Sequence, residues 1–219
     1  MKAMILAAGR GSRLKPLTDT LPKPLLSIGS ENLIEHNVKV LKQAGIHEVI
    51  INISHHAEQI VSYLGDGKRY GVTFRYSYER DRLLGTGGGI FQALPLLGNE
   101  PFVVMSADIW SDFPFDRPFV EANNEAHLIF VENPNYHPVG DYALSNESKV
   151  IFEGPKFTYG NIAKLHPKLF ANCQPGTFPL SQLFNEAISR GTVSGELYRG
   201  RWFNVGTIEE LERLRKAIG

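Results

Sequence analysis

Between residues 2 and 107, short apolar runs alternate with longer stretches of helical period. That alternation leaves few folds open besides a parallel sheet covered by helices on both faces. Residues 2–8 are almost continuously apolar and stop at Gly9, the pattern of a strand buried on both sides. Residues 31–44 then set Leu33, Ile34, Val38 and Leu41 at helical spacing, and Gly45 ends the helix. The unit repeats as a strand over 48–53, a helix over 57–64, a strand over 72–77, a helix over 87–96 and a strand over 101–107. In such a sheet a ligand is expected at the carboxyl ends of the strands.

The second half has a different texture. Short strands are predicted over 126–132, 141–145, 149–153 and 160–165, with Pro, Asn and Gly between them, so the sheet is expected to become mixed there. Helices over 179–190 and 207–218 follow, the first carrying Leu180, Leu183, Phe184, Ala187 and Ile188 on one face. With no repeat, low-complexity tract or linker in the chain, the expectation is one α/β domain over 1–219. Its form is a Rossmann-like three-layer sandwich on a mainly parallel, mixed sheet.

Charge narrows the range of partners. Lys plus Arg and Asp plus Glu both number 23, so no overall positive field exists to hold a nucleic acid or an anionic membrane, and any anion must be bound locally. The single cysteine, Cys173, makes no internal disulfide and belongs to no metal-binding cluster, which fits a reducing cytoplasm. Gly9 and Arg10 break the opening apolar run before a membrane span or signal segment is complete.

The local anion site is expected just after the first strand, in Leu6-Ala7-Ala8-Gly9-Arg10-Gly11-Ser12-Arg13-Leu14. Gly9 and Gly11 allow a tight turn whose N–H groups point at phosphate oxygens, and Arg13 adds a fixed cationic fork; the glycines alone serve a plain strand-to-helix turn equally well. Leu14 breaks the dinucleotide pattern G-x-G-x-x-G, and no Gly-Lys-Ser/Thr follows as a Walker loop requires. Further on, Pro22-Lys23-Pro24 sets one lysine between two residues of fixed φ, which aims its side chain. Leu84-Gly85-Thr86-Gly87-Gly88-Gly89-Ile90 offers a second small-residue platform ahead of a helix. Asp108 closes the strand over 101–107, where it is either a turn former or a carboxylate at the sheet's rim suited to a hard cation.

Taken together, Leu6 to Leu14, Pro16-Leu17-Thr18 and Pro22-Lys23-Pro24-Leu25 resemble the signature of the sugar nucleotidyltransferases, L-A-A-G-x-G-x-R-(L/M) followed by P-K-P. The resemblance runs through essentially the whole chain. It implies the nucleotide-diphospho-sugar transferase type of fold, with residues 1–112 binding nucleotide and 113–219 binding sugar. It also implies transfer of a nucleoside monophosphate from an NTP to a sugar 1-phosphate, with Mg²⁺ and release of pyrophosphate. Leu6, Ala8, Gly9, Gly11 and Arg13 then lie along the nucleotide, Lys23 meets the reacting phosphates, and Glu79, Gly85, Thr86 and Gly87 line the nucleoside pocket. Catalysis falls to Arg13, Lys23 and Asp108, with no covalent intermediate. Asp108 is implied as a Mg²⁺ ligand, although Ala107 stands where the family has Gly.

A larger departure is Asn204, which occupies the place of the family's second Mg²⁺-binding Asp and brings an oxygen without a charge. Either a weakened two-ligand site operates, or Asp141 or water compensates, or catalysis is poor. Gly140, Asp141, Gly160 and Asn161 are implied on the sugar side. The run from His166-Pro167-Lys168-Leu169-Phe170 through Cys173-Gln174-Pro175-Gly176 to Ser194-Gly195-Glu196, Tyr198-Arg199-Gly200 and Trp202 resembles the N-acetylmuramate 1-phosphate uridylyltransferases of bacterial cell-wall recycling. That implies UTP and N-acetylmuramate 1-phosphate, whose lactyl carboxylate Arg199 or Arg201 would meet. Mannose-1-phosphate and heptose-1-phosphate guanylyltransferases share much of the same text and stand as alternatives, as does a catalytically weak nucleotide-binding relative. The remaining expectations are a cytoplasmic monomer or homodimer, no nucleic-acid or membrane partner, and no repeat-rich C-terminal module.

Overall fold

The structure is a computed structural model and describes residues 1–80, 83–115 and 124–219. Strands β1 (Lys2–Leu6), β2 (Glu48–Ile53), β3 (Thr73–Tyr78) and β4 (Phe102–Ser106) run parallel, with β1 between β2 and β4 and β3 beyond β2. Helices α1 (Leu33–Gln43), α2 (Ala57–Leu64) and α3 (Gly85–Leu97) connect them, so the predicted alternation holds to within a few residues at each end. α1 starts where a reciprocal pair of hydrogen bonds between Asn32 and Glu35 satisfies two N–H groups that a helix start leaves without partners.

Past β4 the sheet becomes mixed, as the shorter strands predict. β9 (Lys156–Leu165) runs antiparallel between β4 and β6 (Ala126–Val131), while β7 (Tyr142–Leu144) and β8 (Val150–Ile151) form a small flap on β9. Three strands lie outside the sequence expectations: β5 (Ile109–Ser111), β10 (Val193–Leu197) and β11 (Trp202–Asn204). β10 reads Val-Ser-Gly-Glu-Leu, with no continuous apolar run or clean alternation to announce it. Pairing alongside β6 buries it all the same, and Gly195 is required because a Cβ there would lie 2.7 Å from the Phe130 ring. β5 and β11 form a separate antiparallel pair that brings Asn204 opposite Ile109.

The side-chain alternation of β1 divides the core. Ala3 and Ile5 face α1 and α2, whereas Met4 faces α3 and α4 (Leu180–Ser189). This is the three-layer sandwich. A third cluster joins Leu14, Leu26, Leu33 and Trp110 to Val205, Leu211 and Leu214, the last two on α5 (Ile208–Ile218). It fastens the loop after β1 to the end of the chain. Among the described residues no helix is long and apolar enough to cross a membrane.

Candidate active site

The carboxyl ends of β1, β2 and β3 are tied together by one buried network. The Asn52 Oδ1 accepts from the Ala7 N–H at 2.9 Å, its Nδ2 donates to Glu79 Oε1 at 2.7 Å, and Glu79 Oε2 accepts from the Leu84 N–H at 2.8 Å. Glu79, expected at the nucleoside, is only 4% exposed and has a partner for each oxygen, so its geometry is that of a support beneath the platform. Asn52 escaped the sequence reading, although a lone amide inside Val-Ile-Ile-Asn-Ile was a usable signal.

Above this network the loop after β1 folds back on itself. Gly11 has φ +63°, its carbonyl accepts from the Thr18 hydroxyl at 2.8 Å, and a Cβ at this position would lie 3.0 Å from Thr18 Cγ2 and 3.2 Å from Lys23 Cβ. Glycine is therefore needed here both for conformation and for closeness. Gly9, by contrast, faces open space. Arg13 is exposed and, among the described residues, forms no hydrogen bond or ion pair. Its guanidinium borders Gly206, where a Cβ would meet Nη2 at 3.0 Å.

Lys23 opens a short 3-10 turn and donates to Asp108, with Nζ 2.5 Å from Oδ2. Asp108 is held from the far end of the chain: its carbonyl accepts from the Val205 N–H at 2.9 Å, next to Asn204. A capping box at the start of α5 fixes that neighbourhood, with Glu210 Oε2 accepting from the N–H groups of Gly206 and Thr207 at 2.7 and 2.9 Å. Among the described residues, Asn204 Oδ1 is buried without a hydrogen-bond partner. A neutral hard oxygen lacking a donor, on the residue next to the one that bonds the Asp108 backbone, suits a cation such as Mg²⁺ together with the Asp108 carboxylate, since Mg²⁺ takes few protein ligands and completes its shell with water and phosphate. Among the described residues no group of three His, Cys, Asp or Glu offers a richer metal site.

Tyr136 joins this corner from the loop after β6, and the sequence did not single it out. Its phenol meets the Asn204 amide; burial and the Glu210 carboxylate push its pKa up, Asp108 adds to the rise, and Asn204 and Arg13 offset part of it.

On the platform, Gly85 and Thr86 are exposed while Gly87 is buried. The glycines serve an internal contact that the sequence did not reveal. Phe178 donates its N–H to the Leu84 carbonyl at 3.0 Å and accepts from the Gly87 and Gly88 N–H groups at 3.1 and 3.2 Å. A Cβ on Gly85 would lie 2.7 Å from the Phe178 carbonyl oxygen, one on Gly87 2.5 Å from its ring, and one on Gly88 2.3 Å from the Gly176 carbonyl. The Thr86 hydroxyl accepts from the Leu180 N–H at 2.9 Å, so the platform also caps α4.

Beside the platform lies a cavity of about 150 Å³ that brings together Leu6, Thr86, Ser106, Asp141, Tyr159 and Asn161, floored by Leu180 and Phe184. Asp141 is engaged on both oxygens, by the Tyr159 N–H at 2.8 Å and His137 Nε2 at 3.1 Å. Burial first, then Tyr142 and Asp141, raise the Tyr159 pKa far above its ordinary value, so the phenol stays protonated. Asn161 has φ +55°, an unusual conformation for a non-glycine residue and one that often accompanies function. Gly140 and Gly160 stand one residue outside this lining; they make room for Asn133 and Lys156, and for Ile129 and Trp202, respectively. Arg199 pairs with Glu132 at 2.7 Å and Arg201 with Asp112 at 3.1 Å, the latter also over the Trp110 ring; neither lines the cavity.

The family model for nucleotidyl transferases matches residues 2–144. The chain is 41% identical over its whole length to an N-acetylmuramate alpha-1-phosphate uridylyltransferase of Neisseria meningitidis, covering 99% of that protein. It is 31% identical to one from Caulobacter vibrioides, over 93% of this chain and 91% of that one. A solved structure from Bacillus anthracis, described as a glucose-1-phosphate thymidylyltransferase, superposes with a TM-score of 0.88 at 26% identity, covering 99% of this chain and 94% of the other.

Proposed function

Because the chain belongs to the nucleotidyl transferase family, we propose that it transfers UMP from UTP to N-acetylmuramate 1-phosphate, forming UDP-N-acetylmuramate and pyrophosphate. One observation carries the reaction class: the Arg13 guanidinium and the Asn204 oxygen, both without a partner among the described residues, lie with the Lys23–Asp108 pair at the sheet's carboxyl rim. The full-length relative from Neisseria supports the choice of substrates. The proposal includes a cytoplasmic location and a part in peptidoglycan recycling.

In this reading the N–H groups of the turn after β1 and the Arg13 fork hold the triphosphate. Leu6 and Ala8 line its approach, and Gly85, Thr86 and Gly87 border the nucleoside above the Glu79 support. The sugar 1-phosphate occupies the cavity bordered by Asp141 and Asn161, with Gly140 and Gly160 shaping the backbone beside them. An oxygen of its phosphate attacks the α-phosphorus in line; the new P–O bond forms as the bond to the pyrophosphate oxygen breaks, and Lys23 and Arg13 stabilise the charge that builds there. The attacking phosphate is already ionised and needs no general base. Asp108 and Asn204 would hold Mg²⁺, which, when bound, neutralises phosphate charge.

The test is a matrix of UTP, GTP, dTTP and CTP against N-acetylmuramate, mannose, heptose and glucose 1-phosphates, with pyrophosphate release and product mass as readouts. UDP-N-acetylmuramate should dominate; a preference for GTP with mannose or heptose 1-phosphate overturns the substrate assignment. Asn204 favours a second reading, a nucleotide-binding relative of low turnover. That protein would bind NTP yet release pyrophosphate only slowly, however high the Mg²⁺ concentration.

A further inference from the structure

The cation corner carries an internal competitor. Asp108 Oδ2 is 2.5 Å from Lys23 Nζ, and the two side chains are 29% and 12% exposed. The other oxygen offered there, Asn204 Oδ1, is neutral. Lys23, Asp108 and Asn204 thus sum to no net charge, and the neighbouring carboxylate of Glu210 spends Oε2 on the N–H groups of Gly206 and Thr207. A divalent cation approaching Asp108 meets the Lys23 ammonium at close range, where like charges repel most.

We propose that Lys23 is the resident counter-ion of Asp108 and competes with the divalent metal for it, so that the metal binds well only when it brings the negative charge of a triphosphate. This rests on the reading of Asp108 and Asn204 as the cation's ligands. The base of the Lys23 side chain is fixed against Gly11, in the turn that offers N–H groups to phosphate. Its flexible four-carbon stem lets the ammonium pass from the carboxylate to a phosphate held at that turn while the backbone stays in place. Lys23 therefore has two partners in succession, and metal and nucleotide are coupled through it.

The experiment is Mn²⁺ binding to the intact protein without nucleotide, read from the electron paramagnetic resonance of free Mn²⁺ and from the Mn²⁺-dependent rise in melting temperature. Lys23→Gln should bind Mn²⁺ roughly tenfold more tightly than the parent, the scale of one unit charge acting across a partly solvated site. Lys23→Met, which keeps much of the stem and loses the charge, should do the same and serves if the Gln variant does not fold. Lys23→Arg should match the parent, Asn204→Asp should bind more tightly, and Asp108→Asn should lose the site. If Asp108→Asn abolishes binding while Lys23→Gln and Lys23→Met leave it unchanged or weaker, the competition is refuted and the ligand assignment survives. If Asp108→Asn changes nothing, both fall.

Discussion

Single atoms decide much of this site. Asn204 keeps the oxygen that a carboxylate would supply but drops the charge, and it is the neutral member of a pair whose other member is already bound by Lys23. Lys23→Ala should lower kcat by about 10²-fold or more at saturating substrates, the scale for losing one positioned electrostatic group. Unchanged turnover would remove Lys23 from the chemistry. Arg13, Lys23 and Asp108 were legible in the sequence because each follows a local device: a glycine turn, two prolines, the end of an apolar strand. Tyr136 was not, since it acquires its place only from Asn204 on another element, and Asn52 showed only as a lone amide in an apolar strand, its role set by Ala7 and Glu79 on other elements.

At the level of elements, the glycines separate into two kinds. Those at the start of α3 receive Phe178 and Gly176 against their backbone, which joins the platform to the first turn of α4. Gly88→Ala forces a methyl to within 2.3 Å of the Gly176 carbonyl oxygen and should destabilise the protein by about 1–3 kcal/mol, measured by urea unfolding. Gly9→Ala meets nothing within 4 Å and should leave stability within about 0.5 kcal/mol of the parent. It should nonetheless weaken UTP binding, measured by titration calorimetry. Equal stability losses in the two variants would contradict this division. In the sequence both stretches are simply glycine-rich; only the approach of Phe178, 93 positions after Gly85, tells them apart.

Across the whole molecule, the two halves are interlocked. β9 lies between β4 and β6, β5 pairs with β11, and the third core cluster joins Leu14 and Trp110 to Leu211 and Leu214. A cut after residue 112 would strip β4 of β9 and Trp110 of its α5 neighbours. Urea unfolding followed by far-UV circular dichroism and by the fluorescence of Trp110 and Trp202 should therefore show one coincident transition, and the fragment 1–112 should not fold. Two separated transitions would mean that the halves are independent domains. By itself the sequence determined the alternating sheet-and-helix order, the glycine turn after β1, and the charged and amide residues set at the sheet's rim. These follow from local periodicity and from backbone limits that act over a few residues. Tertiary structure alone decided that β10 is a strand, that Glu79 has both carboxylate oxygens engaged beneath the platform, that Arg199 and Arg201 are already paired, and that Lys23 sits on Asp108. Each of these depends on partners brought together from distant parts of the chain, where burial and charge at short range outweigh what neighbouring residues prefer.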